Sequence, residues 1–270
     1  MTRRAGVVQF QGVYYAYPGA SNYALEDVSF EVPEGGVLIV LGGSGSGKST
    51  ILKLVLGLIK PESGVILVDG VDITRMTERE LMTERAKMGM VFQEGALFDS
   101  LTVAENVAFR LNEQRDQGPE IIEQRVRAVL GFVELDEFYE RMPSELSGGQ
   151  RRRVAVARAM AHQPALMLYD EATTGLDPIT ASTISDLIVK LRDLEGASSM
   201  LVTHQLRDAF HVAQTFTFIR DGQIAYNRVD KLEILWGTEF LMLDRGQVVF
   251  RGRQKDLWTS DHPYVRNFLS

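Results

Sequence analysis

The residues best suited to chemistry begin with Gly42-Gly43-Ser44-Gly45-Ser46-Gly47-Lys48-Ser49-Thr50. A glycine, four residues and then Gly-Lys-Ser is the spacing of a phosphate-binding loop. Glycines let successive backbone N–H groups turn onto one centre, and a helix starting there adds partial positive charge. Lys48 is placed to neutralise β- and γ-phosphates, and the Ser49 hydroxyl to join a Mg²⁺ ion. The flanks fit: Val37-Leu38-Ile39-Val40-Leu41 reads as a buried strand, and Ile51 to Leu56 as a helix with a mostly apolar face. A Gly/Ser turn that merely held a lysine would need neither flank.

Other polar residues end apolar runs. Gln93 follows Met88-Gly89-Met90-Val91-Phe92, Asp170-Glu171 follows Leu166-Met167-Leu168-Tyr169, and His204 follows Ser199-Met200-Leu201-Val202-Thr203. Strands alternating with helices imply a parallel sheet whose ligand sits at the strands' C-terminal ends, where all of these residues fall with Lys48. Tyr17 is the candidate for stacking on a nucleobase, worth roughly 1–3 kcal/mol. Alternatively, Tyr15 and Tyr17 simply cover a sheet. Ser147-Gly148-Gly149-Gln150 also precedes a helix and makes a second phosphate-sized cradle. His162, His211 and His262 fit ordinary surface or packing positions.

The positioning elements can be laid out in order. Residues 7–40 are β-rich, with a turn cluster at Pro18–Asn22, and a hairpin strand follows Pro61-Glu62-Ser63-Gly64. A polar helix over 77–87 precedes the Gln93 strand. From 94 to 160 the chain reads as helices: one from Leu101, with Thr102 as cap and Glu105 three residues on, one from Ile121 to Phe132, and one over about 151–161. A further helix covers 179–194. The expected fold is α/β in one domain over 1–270. Its phosphate-loop (RecA-like) core with a mostly parallel sheet and an N-terminal antiparallel β subdomain takes 1–93 and 161–220. An inserted helical subdomain takes 94–160, and C-terminal hairpins with a closing helix take 221–270.

Composition narrows the partners. The chain has 270 residues, 45% hydrophobic and 24% charged, with net charge −7, which disfavours nucleic acid. There is no cysteine, which removes thiol chemistry and suits a reducing compartment. Met1-Thr2-Arg3-Arg4-Ala5 lacks the apolar core of a secretory signal. No stretch approaches the roughly 18 uncharged apolar residues that span a bilayer. If the chain serves a membrane, it is expected to do so from outside the bilayer.

In order, the loop at 42–49, Gln93, Leu146-Ser147-Gly148-Gly149-Gln150, Leu166 to Glu171, Gly175-Leu176-Asp177 and His204 resemble the ATPase subunit of an ATP-binding-cassette (ABC) transporter. The resemblance covers nearly the whole chain. It implies ATP and Mg²⁺, with Tyr17, the 42–50 loop, Ser147–Gln150 and Asp177 on nucleotide and Ser49, Gln93 and Asp170 on the metal. Glu171 would orient or deprotonate the attacking water, Gln93 would touch metal and water, and His204 would reach the γ-phosphate. It further implies a head-to-tail pair of identical subunits, each signature closing over the other's ATP, attached to a membrane permease and peripheral on the cytoplasmic face of the inner membrane. Arg151-Arg152-Arg153 would open the signature helix against its dipole, offset by a nearby phosphate, or alternatively form a solvated face.

Within the family, Gln93 to Asp99, Met142 to Gly149, Leu176 to Thr180 and Val265 to Leu269 look like the ATPases of Mla-type (Mce-associated) lipid transporters. That resemblance implies phospholipid transport and an Mce-domain partner. The alternatives are an importer or exporter of another substrate, and a soluble cassette acting on ribosomes or DNA. Ala96, Leu97, Phe98, Leu101 and Val103 either form a groove for a permease helix or pack inside the helical block. Two departures stand out: Ala172 where most relatives have proline, which loosens the Glu171 turn, and two similar hairpin sequences, 218–224 and 241–248, instead of one.

Overall fold

The computed structural model describes residues 7–114, 116–229 and 237–270. Strands β1 (Val8–Tyr15) and β2 (Leu25–Val32) pair antiparallel. β3 (Val37–Leu41) then feeds the phosphate loop and helix α1 (Lys48–Val55). β4 (Ser63–Val68) returns beside β1, and β5 (Val71–Asp72) completes a four-stranded sheet. Helix α2 (Glu78–Arg85), opened by a reciprocal Thr77–Glu80 cap, precedes β6 (Met88–Val91). Three helices follow: α3 (Val103–Gln114), α4 (Pro119–Phe132) and α5 (Gly148–Met160). β7 (Leu166–Asp170), α6 (Pro178–Glu195), β8 (Ser198–Thr203) and α7 (Leu206–Gln214) resume the α/β alternation. Hairpins β9 (Thr215–Arg220)/β10 (Gln223–Arg228) and β11 (Thr238–Asp244)/β12 (Gln247–Gly252) lead to α8 (Gln254–Trp258) and α9 (Pro263–Leu269).

The main sheet has six strands in the order β12-β11-β3-β8-β7-β6, parallel except for β12. Its central strands are continuous apolar runs because both faces are covered. Val37, Ile39 and Leu41 face a core shared with the helical block, and Leu38 and Val40 face a second core under α1 and the antiparallel sheet. Each such side chain contributes about 1.5–3 kcal/mol by burial. The rigid frame that results delivers the ends of β3, β8 and β7 side by side.

Two boundaries differ from the sequence reading. Helix α5 begins at Gly148, not near 151, because the Ser147 and Gln150 side chains satisfy the first turn reciprocally. β11 pairs with β3, so the main sheet continues past residue 220, whereas β9 and β10 form a two-stranded sheet of their own. The N-terminal residues 1–6, read as lacking a secretory signal, and residues 230–236 between the hairpins lie outside the described residues.

Candidate nucleotide site

The phosphate loop is forced into shape by close approaches. Gly47 caps α1 at φ 105°, and a Cβ there would sit 2.7 Å from the Ala24 carbonyl oxygen, so only glycine fits. No side chain caps α1, which leaves its first N–H groups for a ligand. Lys48 is 7% exposed, and its Nζ donates to the carbonyls of Gly42 and Gly43, both at 2.9 Å. Burial pulls its pKa down, while Glu171 and Asp170 push it back up.

The carboxylates come from the end of β7. Ser49 Oγ donates to Asp170 Oδ1 at 3.0 Å. Burial raises the Asp170 pKa, with Glu171 adding to the rise and the Ser49 hydrogen bond opposing it. Glu171 takes φ 50°, a left-handed conformation costing about 1 kcal/mol. Its N–H donates to Val202 at 2.9 Å, its carbonyl accepts from Thr174 N–H at 3.0 Å, and Thr174 Oγ1 donates to Oε2 at 2.8 Å. His204 Nδ1 lies 2.8 Å from the same oxygen, and Lys48 Nζ 3.9 Å from Oε1. These contacts, with buried Ala172 beneath, fix the turn that a proline was expected to stiffen.

One cleft of about 790 Å³ gathers Tyr17, Gly43, Ser44, Gly45, Gly47, Lys48, Ser49, Thr50, Gln93, Glu171 and His204. Gly42 and Ser46 lie under it, Ser46 being 4% exposed. Tyr17 presents its ring at the rim, with its hydroxyl 3.1 Å from Thr50 Oγ1, whereas Tyr15 is buried in the sheet. Ser147, Gly148, Gly149, Gln150 and Asp177 do not line this cleft. The first four open α5, and Asp177 caps α6 through the N–H groups of Ile179 and Thr180. Sequence reasoning missed three residues on or beside the cleft: Thr174, Phe268, and Tyr264, whose hydroxyl accepts the Gly43 N–H at 3.0 Å. Thr174 could be suspected from its spacing after Glu171; nothing in the sequence ties Tyr264 to a loop 221 residues earlier.

The arginine run is not one face: Arg151 is exposed, Arg152 buried and Arg153 half-buried. Arg151, Arg152 and Arg153 donate to the carbonyls of Leu146, of Phe92 and Thr174, and of Val133 and Glu134. Of the apolar residues after Gln93, Val103 is fully buried and Leu97 packs on the core. Ala96 and Phe98 line a groove of about 490 Å³ with Met82, Met90, Phe92 and Phe109, and Leu101 lines a separate depression.

An oxygen pair at Ser49 and Asp170 beside a lysine-bearing loop suits a hard cation that shares its shell with phosphates. Among the described residues no cluster of three or more His, Cys, Asp or Glu could hold a metal alone. Fold and site thus define a phosphate-loop nucleoside triphosphatase built on a mostly parallel sheet. Residues 25–174 match the ABC transporter family model, and the chain belongs to that family. It is 35% identical to the methionine import ATP-binding protein MetN of Bradyrhizobium diazoefficiens over 271 residues, all of this chain and 70% of that protein. It is 39% identical to MetN of Haemophilus influenzae over 210 residues, 78% of this chain and 61% of that one. Among solved structures, the post-hydrolysis dimer of the ATP-binding cassette MJ0796 with ADP and Pi superposes with TM-score 0.76 at 30% identity, covering 92% of this chain and 98% of that one. The cbiO1 protein of Clostridium perfringens, part of the transporter complex cbiONQ, gives TM-score 0.78 at 25% identity, covering 96% and 93%. As a cassette of this family the chain is an ATPase that takes ATP with Mg²⁺. No helix among the described residues is long and apolar enough to cross a membrane.

Proposed function

We propose that the chain is the ATP-hydrolysing subunit of a membrane ABC importer and works as a head-to-tail pair. The observation that carries this reading is the meeting of Lys48, Ser49 and Glu171–His204 in one cleft, with Asp170 bonded to Ser49 and the Ser147–Gln150 cradle outside it. A cradle left out of its own cleft calls for a second copy to use it. In this reading Tyr17 stacks on the base, residues 42–50 wrap the phosphates, and Lys48 and His204 meet the charge on the γ-phosphoryl oxygens. Ser49, Asp170 and Gln93 would hold Mg²⁺, which when bound neutralises charge on the β- and γ-oxygens. Glu171, fixed by Thr174 and His204, orients the attacking water or takes its proton. Two ATP molecules join two subunits, closure moves the helical blocks with the attached permease, and hydrolysis reopens the pair. The groove at Ala96 and Phe98 offers the permease an apolar seat.

Lipid transport with an Mce-domain partner, expected from 93–99, 142–149, 176–180 and 265–269, finds no support in the relatives named above. The MetN proteins are importers, and an importer of another substrate fits them better. The physical reason is that those stretches handle nucleotide and partner subunits, while the cargo is chosen in the membrane. Purification of the tagged subunit from native membranes in mild detergent tests the reading. A permease co-purifying with a solute-binding protein is the expected result. An Mce-domain protein with phospholipid would restore the lipid reading, and recovery only with ribosomes or DNA would overturn transport.

A further inference from the structure

The Arg152 side chain lies where the signature helix, the loop before Gln93 and the turn after Glu171 converge. It is 8% exposed, on α5 one turn beyond Gly148. Its Nη1 donates to the Phe92 carbonyl at 3.3 Å and its Nη2 to the Thr174 carbonyl at 3.2 Å. Phe92 immediately precedes Gln93. Thr174 in turn donates its hydroxyl to the Glu171 carboxylate at 2.8 Å, and His204 meets the same oxygen. An unbroken chain of contacts thus runs from the helix that carries Ser147–Gln150 to the carboxylate in the chain's own cleft. A guanidinium suits this task because its planar fork addresses two carbonyls at once. The Arg152 Nε is buried without a hydrogen-bond partner, so the arginine is not placed there merely to satisfy all of its own donors.

We propose that Arg152 is a positioning residue for ATP hydrolysis. Through it, the seating of Ser147–Gln150 on a partner's nucleotide sets the position of Glu171 and Gln93 in the chain's own site. The proposal rests on the roles given to Glu171 and the signature above. It couples hydrolysis in one site of the pair to the nucleotide in the other, because each signature answers to one nucleotide and each carboxylate to the other. Helix α5 is the rigid element that carries the displacement, and Arg152 is where it leaves the helix.

The test uses the full chain with the membrane subunits that co-purify with it. Initial rates are measured against ATP concentration, and binding of a non-hydrolysable ATP analogue is measured separately. Arg152→Met keeps the aliphatic stem and removes both donors. Its kcat is expected to fall about 10-fold, within the cost of misplacing a reacting group, with analogue affinity unchanged and the cooperativity of the rate in ATP lost. Thr174→Val cuts the next link while leaving Arg152 in place and should give the same split. The double variant should be no worse than the worse single, because both changes break one path. Arg152→Lys, a point donor in place of a fork, should restore only part of the rate. If Arg152→Met fails to fold, Thr174→Val alone still decides. Unchanged kcat and cooperativity, or losses that simply add, would overturn the proposal. Glu171→Gln run in parallel separates the two levels. Normal turnover in that variant removes the role given to Glu171, whereas its loss beside a normal Arg152→Met removes only the coupling.

Discussion

The chain carries two glycine-rich cradles, each at the start of a helix, and they are finished differently. The loop before α1 has no side-chain cap, is held by glycines at positive φ, and is ringed by Lys48, Asp170, Glu171 and His204. The signature before α5 caps itself, with Gln150 N–H donating to Ser147 Oγ and Ser147 N–H to Gln150 Oε1. It has no lysine and no carboxylate ring, and it rests on the turn that begins α6, where a methyl on Gly149 would run into Thr180 Cγ2. A helix N-terminus alone attracts anions. What separates a reaction centre from a clamp is the charge that neighbouring strands deliver to it.

Variants can break or sharpen that contrast. Glu171→Gln should lower turnover by roughly 10²–10⁴-fold, the usual share of a positioned base, while ATP still binds. Near-normal turnover would show that the ring of charge does not make the centre. Lys48→Ala should weaken ATP about 10–100-fold, the value of charge-assisted hydrogen bonds, as read by nucleotide titration. Gly149→Ala should leave ATP binding intact and slow turnover roughly 10-fold, because displacements near 1 Å at a reacting group cost up to 10²-fold. Adding Thr180→Ser removes the obstructing methyl, retains the hydroxyl that bonds Asp177, and should return most of the rate.

The smallest effect concerns stability. Asp170 holds its proton more tightly in the folded chain than its ordinary 3.8. Its contribution is therefore fully favourable below pH 3.8 and is lost as pH rises through the raised value. Asp170→Asn should melt about 2 °C above the parent at pH 7, with the difference gone below 3.8. A Tm difference independent of pH would remove the buried charge as its cause.

What the sequence disclosed follows the physics of burial. Residues 37–41, 166–169 and 200–202 are apolar throughout because the sheet is covered on both faces, so the polar residues that follow them stood out as a site. The start of α5 was misread because Gly148-Gly149 looks like a break, although Ser147 with Gln150 three residues on is a legible capping box. The two C-terminal hairpins share a turn chemistry that could not rank them. Burial ranks them: β11 is apolar on both sides and enters the sheet, whereas β9 alternates and leaves Ile219 67% exposed. Arg152 and Tyr264 act through backbone groups far along the chain, which leave no pattern in a single sequence, whereas Thr174 is legible only as a hydroxyl three residues after Glu171.

The pairing of β3 also bears on synthesis. Its neighbours in the sheet are β8 and β11, and the Leu243 carbonyl closes over Gly42. The antiparallel sheet, built mostly from the first seventy or so residues, can form early on the ribosome, because its partners emerge close together. The phosphate loop cannot, since the walls that shape it are translated some 200 residues later. A nascent chain halted before β11 thus contains the loop's residues but not the strand and carbonyl that close over it.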